Sequence, residues 1–85
     1  MKPGEIYRIE KNKYATLNNI KYVKFKSIRK DENEFSFTLT SLNADNEKND
    51  IIMSGENVFD LISSGKLEPA TDTDKAKIVL MVKGF

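Results

Sequence analysis

Residues 34–42, EFSFTLTSL, alternate between large apolar and small hydroxylic side chains, with Phe35, Phe37 and Leu39 on one side and Ser36, Thr38 and Thr40 on the other. A period of two belongs to a strand with one buried face; an amphipathic helix repeats every 3.6 residues. Upstream, KYVKFKSI behaves the same way, with Val23 and Phe25 facing one side and Tyr22, Lys24 and Lys26 the other. Ile20 and Ile28 fall on the Tyr22 side, which predicts a bend or bulge near the ends of that strand, or a partial cover over that face. The polar KDENE at 30–34 reads as a hairpin connection of the longer kind. An antiparallel hairpin whose core face holds Val23, Phe25, Phe35, Phe37 and Leu39 is therefore the expected centre of the fold.

Around it the chain supplies shorter pieces. Pro3-Gly4 signals a turn, and Ile6, Tyr7 and Ile9 between charges predict a first strand over 4–10. KNKYATLNN follows as a loop, NADNEKND at 43–50 as a polar connection, and DIIMS as a short fourth strand. The period then changes. Ser54 is a candidate N-cap, Glu56 suits the first turn, and Val58, Leu61 and Ile62 share a face. Gly65 ends this helix and Pro69 prevents a restart, so one short helix is expected near residues 55–64, followed by an extended KLEP.

The tail, KAKIVLMVKGF, is read less directly. Thr71 and Asp74 have the spacing of a capping box, but a helix there would be apolar all round, and Ile78, Val79 and Val82 are β-branched. Residues 75–85 are expected as a strand that completes the sheet, swaps into a second copy or adds to a partner's edge. The whole is a mainly β, β-rich α+β chain: a small, strongly bent antiparallel sheet. The order of its elements and the opening PGEIYRI resemble an SH3-like barrel over residues 3–70. At 85 residues it is read as a single domain, 1–85.

Composition narrows the chemistry. With no cysteine and no histidine, the chain lacks disulfides, thiolate metal sites, the commonest general base and the strongest nucleophile. The expectation is a protein that is not an enzyme and needs neither metal nor cofactor. Asp31, Glu32, Glu34, Asp45, Asp50, Asp72 and Asp74 are read in connections without calcium-loop spacing, and GENVFDLISSGK lacks the spacing of a phosphate loop. The longest apolar run, IVLMV, is far below the ~20 residues of a bilayer span. The amino-terminal residues show no apolar signal core, so the reading is a cytoplasmic protein with no membrane contact.

Charge gives the sharpest functional signal. Residues 1–30 hold nine basic and two acidic residues, residues 31–85 five and eleven, although the net charge is only +1. A polarised chain of this kind can offer one basic face to an acidic partner. The candidate binding residues are Lys21, Tyr22, Lys24, Lys26, Arg29 and Lys30, joined by Lys11, Lys13 and Tyr14 from the first loop. Lysines neutralise phosphates and tyrosines stack on bases, so the same set would suit single-stranded nucleic acid. A strand's solvated lysines also discourage edge pairing without any ligand. A macromolecular partner is expected, protein ahead of DNA or RNA. Twelve lysines against two arginines, with abundant Asn and Ile, is the bias of an AT-rich genome and fits a phage or mobile-element product that inhibits a host protein. An assembly protein that oligomerises through 75–85 is the third reading.

Overall fold

The computed structural model describes residues 2–10, 17 and 19–85. Five strands, β1 (Ile6–Ile9), β2 (Ile20–Asp31), β3 (Glu34–Asn43), β4 (Lys48–Ser54) and β5 (Leu67–Pro69), form one antiparallel sheet in the order β4-β3-β2-β1-β5. Helix α1 (Gly55–Ser63) lies between β4 and β5 in sequence, and helix α2 (Asp72–Met81) follows β5. The mainly β expectation holds, with the β2–β3 hairpin at the centre. The barrel does not close. Among the described residues β4 and β5 share no ladder, and α1 packs against β3, β4 and β5 at the gap between the two edges. β5 is too short to bridge that gap, with three residues of which Pro69 has no N–H to give.

The hairpin carries the predicted irregularities. Register shifts fall between Ile20 and Tyr22 and between Phe25 and Ser27, so Lys21 and Lys26 are each an extra residue opposite β3. Each shift reverses the alternation, as any one-residue slip does. Ile20 and Ile28 therefore join the side of Val23 and Phe25, and Tyr22 and Lys24 stay on the other. The hairpin connection is shorter than expected, because Asp31 pairs with Glu34 and the turn is Glu32-Asn33, with Glu32 at φ 43°. β4 likewise begins at Lys48. The Asn43 side chain accepts from the N–H groups of Asp45 and Glu47, and Asn46 takes the left-handed conformation that closes the turn.

Both faces of the sheet are covered. Tyr7, Ile9, Val23, Phe25, Leu39, Met53, Val58, Leu61 and Leu67 make the larger core beneath α1, with the Phe25 and Phe37 rings 5.3 Å apart. Ser54 caps α1 by accepting from the Asn57 N–H. At the other end Lys66 N donates to Leu61 O and Gly65 N to Ile62 O, the pairing of a Schellman stop, with Gly65 at φ 73°.

The expectation of a strand at 75–85 is corrected: Asp72–Met81 is a helix. The Thr71 hydroxyl accepts from the Asp74 N–H while the Asp74 carboxylate accepts from the Thr71 N–H, a complete capping box. Ile78 is buried against Tyr22 and Leu42, and Ile6, Met81, Val82 and Phe85 close this second core. The β-branched residues lose to this context because Tyr22 and Leu42 sit opposite each other on an apolar face that needs a cover. No helix among the described residues is long and apolar enough to cross a membrane.

Candidate functional site

β2 supplies six of the nine predicted binding residues, and its bulges decide where they go. Lys11, Lys13 and Tyr14 lie outside the described residues. Lys21 is exposed at the first bulge. Tyr22 is only 6% exposed and gives no stacking face; its hydroxyl donates to Asp74 at 3.0 Å beneath α2. Burial first, then that bond, pushes the Tyr22 phenol above its ordinary pKa. The Lys24 amine donates to the Phe85 main-chain oxygen at 2.6 Å and stands 5.9 Å from the Phe85 ring centre. Lys26 pairs with Asp50 at 2.9 Å, and Thr40 donates to the same carboxylate. These two bonds, the lysine first, hold the Asp50 carboxyl below the usual range.

Arg29 and Lys30 run the other way, to the outer end of the hairpin. Arg29 lies 3.3 Å from Asp31, and the Lys30 amine sits 5.6 Å from the Phe35 ring centre. The expected strip is thus divided into a portion met by α2, the tail and Asp50, and a portion beside exposed aromatic surface. Lys24 and Lys48 line a polar hollow of about 470 Å³ with Thr40, Asn49, Asp50, Gly84 and Phe85. There the Lys48 amine reaches the Lys83 and Gly84 oxygens at 3.5 and 3.4 Å. Among the described residues no group of three or more His, Cys, Asp or Glu is arranged to hold a metal.

The sequence reading missed a groove on the opposite side of the sheet. Ile28, Phe37, Gly55, Val58, Phe59 and Ile62 enclose about 320 Å³ between the outer end of the hairpin and α1, with mostly apolar walls. Its floor exists because the second bulge turns Ile28 to the α1 side and because Gly55 has no side chain. A Cβ there would stand 3.2 Å from both Cβ and O of Phe35. Its rim is exposed, with Phe59 at 72% and Phe35, just beyond, at 52%. A second hollow beside it is lined by Asn33, Glu34, Phe35, Ser54 and Glu56. One sequence signal existed: Phe59 falls outside the Val58, Leu61, Ile62 face of α1, so that helix has more apolar surface than one core stripe needs.

Compared with known proteins, the chain matches no protein family, no curated relative and no solved structure.

Proposed function

We propose that the protein is a non-catalytic protein-binding module that acts in the cytoplasm, and that its contact surface is the groove between the outer β2–β3 hairpin and α1. The observation that carries this reading is the clustering of exposed Ile28, Phe59 and Ile62 around one apolar hollow, with Phe35 beside it. Clustered apolar surface rimmed by charge is costly in water and is the usual mark of a partner site. Lys30, which shares the Ile28 side of β2 and stands over the Phe35 ring at the hairpin end, adds charge selectivity beside the groove, while Arg29 falls on the other side and pairs with Asp31. The rest of the predicted basic face contributes less than the sequence suggested, because Lys24 and Lys26 already have protein partners. Inhibition of a host protein by a phage or mobile-element product remains the role this module would fit.

The test is affinity capture from a bacterial extract with immobilised wild type and Phe59→Asp. A protein retained by wild type and lost with the variant supports the groove as the contact surface. Retention that is identical for both proteins sinks it.

A further inference from the structure

The groove calls for an apolar plug, and the same chain carries one. On α2, Ile78 is buried against the sheet while the next two residues, Val79 and Leu80, are 75% and 88% exposed. The capping box and the Tyr22–Asp74 bond fix which side of α2 faces inward, so this pair stays outward. α1 and the groove lie over one core, and α2 over the core on the opposite face of the sheet. Val79 and Leu80 therefore cannot reach the groove of their own molecule. Any contact between the two surfaces joins two molecules.

The geometry points to self-association: Val79 and Leu80 of one molecule enter the groove formed by Ile28, Phe37, Phe59 and Ile62 of a second copy. This deepens the groove reading and rests on it, by naming the occupant. The volumes agree, since an apolar cavity of roughly 150 Å³ holds one benzene-sized group and the groove, at about 320 Å³, has room for two aliphatic side chains. The charges agree as well. Lys75, Lys77 and Lys83 surround the plug in sequence, and in the hollow next to the groove Glu34 and Glu56 outnumber Lys30, which stands beside Phe35. Plug and groove are different surfaces, so each contact leaves one of each unfilled, and copies add head to tail until a ring closes. The contact is small beside the roughly 1,200 Å² of stable complexes, so association is weak and grows with concentration.

The experiment is sedimentation velocity on the full chain across a concentration series, with Leu80→Asp, Phe59→Asp and an equimolar mixture of the two. Both positions are exposed, and circular dichroism checks that both variants fold. Wild type should pass beyond the dimer mass as concentration rises, and each variant alone should stay monomeric. The mixture should restore about a twofold mass and stop there, because Leu80→Asp keeps its groove and Phe59→Asp keeps its plug. A monomeric wild type, a Leu80→Asp variant that still associates, or a mixture that stays monomeric each overturns the proposal. Those results leave the groove reading standing if extract capture still depends on Phe59. Loss of that dependence sinks the groove reading itself.

Discussion

The Tyr22 hydroxyl donates to Asp74 Oδ1 at 3.0 Å, a buried bond that ties β2 to the first turn of α2 across 52 positions of sequence. Asp74 also serves the Thr71 main-chain and side-chain groups and lies 3.8 Å from Arg8. One carboxylate thus starts the helix and anchors it.

Stability should fall at both ends of the pH scale through this pair. Hydrogen bonding from Thr71 N–H, against burial and with help from Thr71 Oγ1, Tyr22 and Arg8, holds the Asp74 carboxyl below its ordinary pKa. A depressed folded value stabilises above the unfolded pKa near ~4, and the contribution is lost as pH falls through the folded value. The Tyr22 phenol is raised, so its contribution is present below about 10 and lost as pH rises through the folded value. Denaturant midpoints at acid, neutral and alkaline pH test this. Asp74→Asn should be less stable at neutral pH and show a shallower acid limb, with Asp50 and Glu5, also lowered, supplying what slope remains. An acid limb as steep as wild type would remove Asp74 from the account.

Ile78→Ala should release α2 before the rest of the molecule opens. Ile78 is the fully inward helix residue of the second core, and such truncations cost about 2–5 kcal/mol. Tyr22→Phe, which loses one buried hydrogen bond to a carboxylate, should cost about 1.5–3 kcal/mol. Hydrogen exchange should show protection lost over 72–81 in Ile78→Ala while β2 and β3 keep theirs, since the larger core does not include α2. Uniform loss of protection would make the two cores one cooperative unit.

Two phenylalanines should separate core from contact surface. Phe25 is fully buried and Phe59 largely exposed. Phe25→Ala should cost about 3–5 kcal/mol in urea unfolding, and Phe59→Ala under about 1 kcal/mol. A large loss at Phe59 would mean that it packs structurally.

Gly55→Ala should destabilise in spite of the better helix former. The added carbon meets Phe35 Cβ and O at 3.2 Å, and a main-chain oxygen beside a paired strand yields less easily than a side-chain tip. The expected loss is about 1 kcal/mol, typical of mild overpacking, and thermal unfolding reads its sign directly.

Oligonucleotide binding should be weak and insensitive to the central lysines. Lys24 and Lys26 are engaged by Phe85 and Asp50, so displacing those partners offsets the gain from phosphates. Fluorescence anisotropy with single- and double-stranded oligonucleotides at low and physiological salt, with K24E/K26E alongside, decides the point. Tight, salt-dependent binding abolished by that double variant would restore the nucleic-acid reading.

The elements that were legible from sequence share a property: their signals are local. The two-residue alternation of β3 needs only neighbours along the chain, and so do the Ser54 and Gly65 ends of α1. An irregularity in β2 was signalled as well, because Ile20 and Ile28 are out of phase with Val23 and Phe25, but only the register separates a bulge from a bend or a covered face. The tail is a helix rather than the expected strand for the opposite reason. Its apolar residues point in every direction, so periodicity is silent, and the capping-box spacing of Thr71 and Asp74 was the better local guide than β-branching.

The five strands, the first helix and the charge asymmetry follow from side chains near one another in the chain, whereas the tail did not declare its conformation locally. Tertiary structure alone decided which lysines remain available and where apolar surface gathers. Lys26 meets Asp50 across two intervening strand pairings, Lys24 meets Phe85 from the far end of the chain, and the groove joins one bulge of β2 to one face of α1. Those juxtapositions depend on register and on how the helices cover the two faces of the sheet, to which no local pattern of residues is sensitive.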